Sequence, residues 1–188
     1  MCGFICAPPF WRFIPKEEIR RITKALDPGI QKVGVFVDQS VEEAASYLLD
    51  GTVDILQLHG QEDNTYIRRL RELLGRKAEG SCRIIKAFRI RGTEDILAAK
   101  ASAADLVLLD NGTGTGERFD WSLIRDIGRD FLLAGGLNRE NLADAAERFR
   151  PYAVDVSSGV ETDGKKDPEK IRACIEAVRN TGKLKVEE

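Results

Sequence analysis

The sequence predicts an α/β fold of the (β/α)8 TIM-barrel type, in which parallel strands alternate with helices. Three observations predict it. Short apolar runs recur along the 188 residues, with helical patterns between them. The runs are unbroken stretches rich in Val, Ile and Leu, as expected of parallel strands that are covered on both faces. The last two runs end in glycine and serine turns, and no G-x-G-x-x-G motif follows the first run, so the barrel is favoured over a doubly wound dinucleotide-binding sheet.

Seven strand–helix units without a long linker between them predict a single domain over residues 1–188. The predicted strands are 3–7, 33–37, 54–58, 83–88, 106–109, 131–134 and 154–156. The predicted helices are 15–26, 40–50, 66–74, 94–101, a short one from 120, 139–148 and 168–180. A closed barrel of this type has eight units, so one unit is expected to be missing or unrecognised.

Residues with special backbone preferences mark the ends of the first helices. Pro15 suits the first turn of helix one, and the Asp-Pro-Gly sequence at 27–29 ends it. Asp38 and Ser40 are both candidate N-caps of helix two. Helix three shows an apolar stripe at i, i+3/i+4 and i+7 spacing over residues 66–74.

Turn residues also separate the later elements. Gly92 and Thr93 precede helix four, and Asp120 begins a short helix. The segment 111–118 combines glycine and threonine with polar residues, which predicts a mobile loop. The tail from Thr181 is expected to be frayed.

Composition excludes several classes of function. The chain is 43% hydrophobic and 32% charged with a formal net charge of -2, so neither a nucleic acid nor a membrane surface is expected as partner. Its four cysteines lack C-x-x-C spacing and His59 is the single histidine, which argues against zinc and against a disulfide framework and predicts a reducing cytoplasm. No apolar run is long enough to span a bilayer.

Polar residues at the ends of the predicted strands are the candidates for chemistry, because reactive groups of an α/β barrel lie there. They are Arg12, Asp38, Gln57, His59, Lys86, Arg89, Asp110, Asp155, Ser157 and Ser158. Asp110 follows four apolar residues, so its half-desolvated carboxyl is expected to donate a proton; a turn-forming role is the alternative. For His59, a structural hydrogen bond and a substrate contact stay equally open. A structural role is preferred for Lys86, and a helix cap for Asp38.

Two successive turns, Gly135-Gly136 and Ser157-Ser158-Gly159, are of the kind that holds a phosphate. Bare backbone N–H groups and a helix N-terminus aimed at the same point favour an anion. A (β/α) barrel builds such a cradle after its last two strands. The alternative is that these glycines only form tight turns. The occurrence of both turns at matching positions favours the cradle.

Five motifs in order along the chain point to one family. They are G-V-F-V at 34–37, Q-L-H-G at 57–60, L-L-D at 108–110 with G-T-G at 114–116 and F-D-W at 119–121, A-G-G-L-N at 134–138, and D-V-S-S-G-V-E at 155–161 with G-K-K-D at 164–167. In order and spacing they resemble the motifs of phosphoribosylanthranilate isomerase, the tryptophan-pathway enzyme, and they cover nearly the whole chain.

The resemblance implies a (β/α)8 barrel and an Amadori rearrangement without metal or organic cofactor. The substrate would be a small phosphosugar, N-(5-phosphoribosyl)anthranilate. Asp110 matches the general acid that protonates the furanose ring oxygen, after which a general base removes the C2 proton. Arg12 matches an arginine that faces the anthranilate carboxylate. The other matching residues are Gln57, His59 and Asp155 for substrate binding and Gly135, Gly136, Ser157, Ser158 and Gly159 for the phosphate.

The chain departs from the family's pattern at its start. Family members begin with a strand that ends in K-I-C-G, whose cysteine is the general base, followed by a helix and an A-x-x-G-F strand. Residues 3–5 match the second of these strands, so the first βα unit is expected to be missing. Cys2 precedes a glycine, but the following residues continue directly as the second strand, so it is not given the role of base. Two strand edges would then be unpaired, which invites self-association or a complementing N-terminal segment.

Two other hypotheses stay open beside an active isomerase. One is a truncated, non-catalytic barrel fragment that keeps phosphate binding alone. The other is a different phosphosugar isomerase, such as the histidine-pathway relative, which the context of Asp110 and of the F-D-W motif at 119–121 fits poorly.

Overall fold

The structure, a computed structural model, describes residues 1–75, 83–110 and 120–181. Seven parallel strands alternate with helices along these residues, as the sequence predicts. The chain divides into two compact units. Unit 1 comprises Met1–Ala87 with Ser102–Leu106, and unit 2 comprises Phe88–Ala101 with Val107–Glu188. The organisation as a single domain stays a prediction.

Strands and helices follow one another in a regular order. The strands are β1 Cys2–Ile5, β2 Lys32–Phe36, β3 Ile55–Leu58, β4 Arg83–Arg89, β5 Leu106–Asp110, β6 Phe131–Leu133, β7 Ala153–Val154, β8 Glu161–Thr162 and β9 Lys165–Lys166. The α-helices are α1 Lys16–Thr23, α2 Val41–Leu49, α3 Asn64–Leu74, α4 Thr93–Lys100, α5 Leu142–Phe149 and α6 Pro168–Asn180. Two 3-10 helices cover Trp121–Asp126 and Ser158–Val160.

In unit 1, strands β1 to β4 pair in parallel and in chain order. The register aligns Ile5, Val35, Gln57 and Ile85 across the four strands. Buried residues of the strands and of helices α1 to α3 share one hydrophobic core. Within it, the ring of Phe36 meets that of Tyr47 edge-on, with the centroids 5.2 Å apart.

In unit 2, strands β5 to β7 pair in parallel, and the register aligns Leu109, Leu133 and Val154. Their apolar side chains pack with those of α4, α5, α6 and the 3-10 helix Trp121–Asp126. Trp121 meets Phe149 edge-on at 5.4 Å between ring centroids. No helix in the described part of the chain is long and apolar enough to cross a membrane.

The predicted element bounds are confirmed most closely where local signals are strong. Helix α6 is predicted to the residue, because the Asp167 carboxylate accepts hydrogen bonds from the N–H groups of Glu169 (2.9 Å) and Lys170 (3.3 Å). Helix α5 begins at Leu142 and not at 139, because the Asn138 side chain accepts from the N–H groups of Glu140 and Asn141 and holds a turn there.

The strands are also predicted closely, whereas one hairpin is not predicted. The strand bounds agree within two residues. The short hairpin of β8 and β9 is not predicted by the sequence pattern. The predicted mobile loop at 111–118 and the frayed tail beyond Thr181 lie outside the described residues.

Asp50, which follows the last residue of α2, ties this helix to α1. Burial alone would raise its pKa, but hydrogen bonds from Lys16 and from Thr52 outweigh burial and lower the pKa of Asp50 to about 2. The Arg20 guanidinium lies 2.7 Å from the same carboxylate. The folded state therefore favours the ionised form of Asp50.

We expect Asp50→Asn to lower the free energy of unfolding by about 1 kcal/mol at neutral pH, a value discounted because a third of the side chain is exposed. The folded pKa lies below the ordinary value, so the carboxylate stabilises the protein fully above about pH 4 and loses this effect as pH falls toward 2. Urea unfolding of the unmodified protein and of Asp50→Asn should show a difference in the free energy of unfolding that becomes smaller as pH falls from about 4 toward 2. Asp144→Asn on α5 is the control. If the loss of free energy of unfolding in Asp50→Asn were the same at every pH, the lowered pKa of Asp50 in the folded state would be contradicted.

Candidate active site

The carboxyl ends of β5, β6 and β7 bring Asp110 and both predicted turns to one edge of the sheet in unit 2. The N–H of Ala134 donates to the Leu109 carbonyl (2.9 Å), and the N–H of Asp155 donates to the Leu133 carbonyl (2.8 Å). Asp110, Ala134 and Asp155 therefore stand at the same level of the sheet, and the turns begin directly beyond it. The Asp110 side chain is half-buried, as expected from the apolar run before it.

The turn after β6 depends on two glycines in the left-handed region. The φ angles of Gly135 and Gly136 are 82° and 67°, which strain any other residue. The Asn141 side chain braces this turn from α5. Its Nδ2 donates to the Gly136 carbonyl (2.8 Å), and its Oδ1 accepts from the N–H of Asn138 (3.0 Å). The turn is thus held in one conformation.

Gly159, the third glycine of the predicted cradle, is required by lack of space and not by its backbone conformation. Gly159 is not among the residues with positive φ. A Cβ built there would lie 2.0 Å from the Leu137 carbonyl oxygen and 3.1 Å from the Asn138 Cα. The backbone after β7 therefore touches the backbone after β6. The tight-turn interpretation fits Gly135 and Gly136, whereas Gly159 marks the contact between the two turns.

Both turns present backbone donors. Ser157 precedes the 3-10 helix Ser158–Val160, and the side chains of Ser157 and Ser158 are exposed. The N–H groups of Gly136 and Ser158 have no acceptor among the described residues. Such groups are the donors that phosphate oxygens accept from in glycine-rich turns. The chemistry of this edge suits an anion beside a carboxyl group.

In unit 1, Gln57 and His59 form a pair at the end of β3. Gln57 is buried, and its Nε2 lies 3.1 Å from Nδ1 of the half-buried His59 ring. Because the amide nitrogen of Gln57 is a donor, Nδ1 of His59 accepts from it. The proton of the neutral ring is then on Nε2, which can donate a hydrogen bond. No group of three His, Cys, Asp or Glu side chains that could hold a metal ion occurs within residues 1–75, 83–110 and 120–181.

Arg12 lies in the segment between β1 and α1. Its guanidinium carbon is 4.5 Å from the centroid of the Trp11 ring, and Trp11 is 79% exposed. The stacking orients a cation that remains half-exposed. Backbone hydrogen bonds from Phe13 to Phe10 (2.9 Å) and from Ile14 to Ile5 (2.9 Å) fix the segment on either side of it.

Lys86 lies inside β4 and not at its end, where the sequence placed it, while the exposed Arg89 is the last residue of that strand. The buried Lys86 ammonium donates to the Gly60 carbonyl (2.6 Å) and lies 3.2 Å from Oε2 of buried Glu62. Glu62 also accepts from the N–H groups of Asp38 and Gly60 (2.8 Å each). This agrees with a structural role for Lys86. Sequence reasoning missed Glu62, although an acid two residues beyond the Q-L-H-G motif was an available signal.

The prediction that Asp38 caps helix α2 is wrong. The Ser40 hydroxyl caps it instead and accepts from the N–H of Glu43 (3.1 Å). Asp38 has a φ of 55° and accepts from the N–H of Gln61. It therefore ties the loop after β2 to the loop after β3, which the left-handed conformation of Asp38 allows.

Cys2 lies at the amino end of its strand, opposite to the end where α/β barrels carry their reactive groups. It opens β1 and pairs with Lys32, the first residue of β2, whereas the last residue of β1, Ile5, pairs with Val35. Three residues of extended strand separate Cys2 from Ile5 by about 10 Å. The position of Cys2 agrees with the expectation that it is not the general base.

Comparison with known proteins identifies the family. The sequence model of the family N-(5'phosphoribosyl)anthranilate (PRA) isomerase matches residues 3–177 of this chain. A protein of Acetivibrio thermocellus named N-(5'-phosphoribosyl)anthranilate isomerase is 44% identical over 185 residues, which cover 94% of this chain and 84% of the relative. The chain belongs to the phosphoribosylanthranilate isomerase family.

Solved structures of phosphoribosylanthranilate isomerases have the same fold. The one from Thermus thermophilus is 34% identical, with a TM-score of 0.81 over 95% of this chain and 86% of that chain. Another is 36% identical, with a TM-score of 0.80 over the same shares, and is in complex with reduced 1-(o-carboxyphenylamino)-1-deoxyribulose 5-phosphate. The predicted (β/α)8 TIM-barrel type with seven recognisable units is confirmed.

The contact at Gly159 gives a test of the cradle in this family member. Gly159→Ala places a Cβ against the Leu137 carbonyl and must push the two turns apart. We expect a loss of about 2 kcal/mol in the free energy of unfolding and at least about tenfold weaker binding of inorganic phosphate. Thermal unfolding and calorimetric titration measure the two effects.

The matched control is Gly92→Ala in the same unit, because a Cβ at Gly92 meets nothing within 4 Å. This variant is expected to bind phosphate as the unmodified protein does and to lose only the stability that alanine costs at Gly92, the N-cap of α4, about 1 kcal/mol or less. Unchanged phosphate binding by Gly159→Ala would show that contact between the turns is not needed for the cradle.

Proposed function

We propose that this protein catalyses the reaction of its family in tryptophan biosynthesis. N-(5-phosphoribosyl)anthranilate is converted by an Amadori rearrangement into 1-(2-carboxyphenylamino)-1-deoxyribulose 5-phosphate. The observation that carries the proposal is the edge of the unit 2 sheet, where Asp110 ends β5 at the level from which both glycine turns begin. Family membership and the related complex with a reduced phosphosugar support it.

The phosphate end of the substrate is assigned to the two touching turns. Gly135 and Gly136 supply one backbone turn, and Ser157, Ser158 and Gly159 supply the other. Backbone N–H groups bind phosphate oxygens without a mobile side chain that would have to be ordered. The contact at Gly159 supports a cradle in which both turns act on the same group.

Asp110 is assigned as the general acid. Its side chain is half-buried after four buried residues of β5, so the carboxyl lies at the rim of the apolar core, where it can reach a bound substrate. The proton goes to the furanose ring oxygen, the C1–O bond breaks, and a Schiff base forms with the anthranilate nitrogen. A general base then takes the proton from C2, and the resulting enolamine tautomerises to the ketone.

The anthranilate end of the substrate is assigned to other residues. We propose that Arg12, stacked on Trp11, pairs with the anthranilate carboxylate. His59, oriented by Gln57, donates a hydrogen bond from Nε2 to a substrate oxygen. Asp155, which follows the last residue of β7, is assigned to the ribose hydroxyls.

The alternative is a non-catalytic protein that keeps phosphate binding alone, and the cysteines favour it. Cys2 lies at the amino end of β1. Cys6 follows the carboxyl end of β1, but it is buried, and burial raises the pKa of its thiol to about 12. Neither thiol is suited to remove a proton from C2. Turnover therefore depends on a base other than these two.

The proposed place of the reaction is the cytoplasm. Cys2, Cys6 and Cys174 carry free thiols in the structure. Free thiols persist in a reducing compartment. Phosphosugar substrates and products are charged and stay where they are made.

The outer edge of β1 is proposed to pair with another strand, from a second copy or from a complementing segment. The N–H groups of Cys2 and Cys6 donate toward β2, to Gln31 and Val35 (2.8 Å each), so Gly3 faces the other way. On that side the described residues give β1 an isolated bridge between Ile5 and Phe13. A strand edge with unpaired N–H and C=O groups is a template for pairing.

Sedimentation velocity over a range of concentrations tests the pairing with a second copy. The unmodified protein is expected to self-associate, and Gly3→Pro, which removes the outward N–H without touching the β2 ladder, is expected to weaken association by at least about tenfold. Concentration-independent monomers of both proteins would exclude a second copy as the partner.

Asp110→Asn tests the catalytic proposal. The amide keeps the shape of the carboxyl but cannot give up a proton in the same way, so we expect kcat to fall by about 100-fold or more. Affinity for the reduced phosphosugar is expected to change by less than about threefold, because that ligand needs no proton transfer. Steady-state turnover and calorimetric titration measure the two quantities, with Asp144→Asn as the control.

The outcomes separate the two functions. Turnover by the unmodified protein that Asp110→Asn abolishes supports the isomerase. Binding of the reduced phosphosugar without turnover in either protein supports the phosphate-binding alternative. An unmodified protein that neither binds the phosphosugar nor turns over substrate would refute both.

A further inference from the structure

A hairpin that the sequence pattern did not predict lies directly behind the second phosphate turn. Its strands β8 and β9 have two residues each, with Glu161 paired with Lys166 and Thr162 with Lys165. The connecting residues Asp163 and Gly164 have φ angles of 51° and 74°, as a two-residue type I′ turn requires. A hairpin of this size is not stable alone. Its place is therefore fixed by contacts with its surroundings.

Both ends of the hairpin are anchored. The N–H of Asp167 donates to the Val160 carbonyl (2.9 Å), and the Thr162 hydroxyl donates to the Asp167 carboxylate (2.6 Å). From α6, the Lys170 ammonium donates to the Glu161 carbonyl (2.7 Å). These bonds return the chain to the start of α6 and leave Lys166 beside the turn after β7.

The ammonium group of Lys166 holds the carbonyl of Ser157. Its Nζ donates to the Ser157 carbonyl oxygen (2.8 Å) and lies 3.4 Å from the Ser157 hydroxyl. The same Nζ lies 2.8 Å from Oε1 of Glu161, whose side chain is only 10% exposed. An anchored carboxylate thus fixes the ammonium, and the ammonium fixes the carbonyl.

The orientation of this carbonyl decides where the next N–H points. In a trans peptide the C=O and N–H bonds point in opposite directions. Holding the Ser157 carbonyl toward Lys166 therefore aims the Ser158 N–H away from Lys166, as a free donor of the turn. A hydrogen bond from a cation to a carbonyl also polarises the peptide and strengthens its N–H as a donor.

We propose that Lys166 is a positioning residue of the phosphate-binding turn, which sets the Ser157–Ser158 peptide so that its N–H faces the substrate phosphate. The inference rests on the proposed phosphate site and adds a residue outside the two glycine turns. The neighbouring Lys165 offers a matched control, since it has the same charge, is exposed on the same hairpin and makes no contact with Ser157 among those the structure shows.

The first experiment compares Lys166→Met with Lys165→Met in calorimetric titrations with inorganic phosphate and with the reduced phosphosugar. Both variants lose one positive charge, so the change in the net charge of the protein is equal in the two. We expect Lys166→Met to weaken both ligands by about tenfold, the size of one charge-assisted hydrogen bond. Lys165→Met should change the affinities by less than about twofold. Circular dichroism checks that both variants are folded, and Lys166→Arg should restore most of the binding.

The second experiment observes the peptide without any ligand. The amide nitrogen of Ser158 senses the hydrogen bond made by the carbonyl of the same peptide. Its 15N resonance is expected to move in Lys166→Met and to stay in place in Lys165→Met. Loss of affinity in Lys166→Met without a change at Ser158 would mean that the ammonium contacts the phosphate directly, which overturns the positioning role.

The results also distinguish this inference from the function on which it rests. An unmodified protein that binds both ligands while Lys166→Met binds them equally well refutes only the role of Lys166. An unmodified protein that binds neither ligand refutes the proposed phosphate site, and the inference falls with it.

Discussion

The backbone contact between Gly159 and Leu137 is the constraint on which the candidate site in unit 2 depends. It joins the turn after β6 to the turn after β7 at a point where even a methyl group does not fit. Two backbones packed this closely cannot adjust independently. The donors of the two turns therefore keep one relative position, and donors that are already in place cost the least free energy when an anion binds.

Each of the two turns is also braced by a side chain that arrives from a later element. Asn141, at the start of α5, holds the carbonyl of Gly136, and Lys166, on the hairpin, holds the carbonyl of Ser157. In both cases a donor fixes a carbonyl and so orients a peptide plane. The strands deliver the turns to the sheet edge, and the elements that follow the strands make the turns rigid.

The sequence predicts the features that depend on local preference and not those that depend on contact across the chain. Helix α6 is predicted to the residue, since its cap and its proline are neighbours in sequence. Gly135 and Gly159 look alike in sequence, yet one needs a φ of 82° and the other needs space beside a distant carbonyl. The pairing of Lys86 with Glu62 spans 24 residues, and although the position of Glu62 two residues beyond the Q-L-H-G motif singles it out, nothing local indicates Lys86 as its partner.

The acid step and the base step of the proposed reaction each require a group at the carboxyl end of a strand. Asp110 ends its strand and so reaches the edge where the turns lie, whereas Cys2 begins its strand, about 10 Å from that strand's other end. Cys6 follows the carboxyl end of β1, but burial raises the pKa of its thiol to about 12. A base must satisfy position and acidity together. Asp110 meets the positional demand on the acid, while neither of these thiols meets both demands on the base, so removal of the C2 proton requires a group other than Cys2 or Cys6.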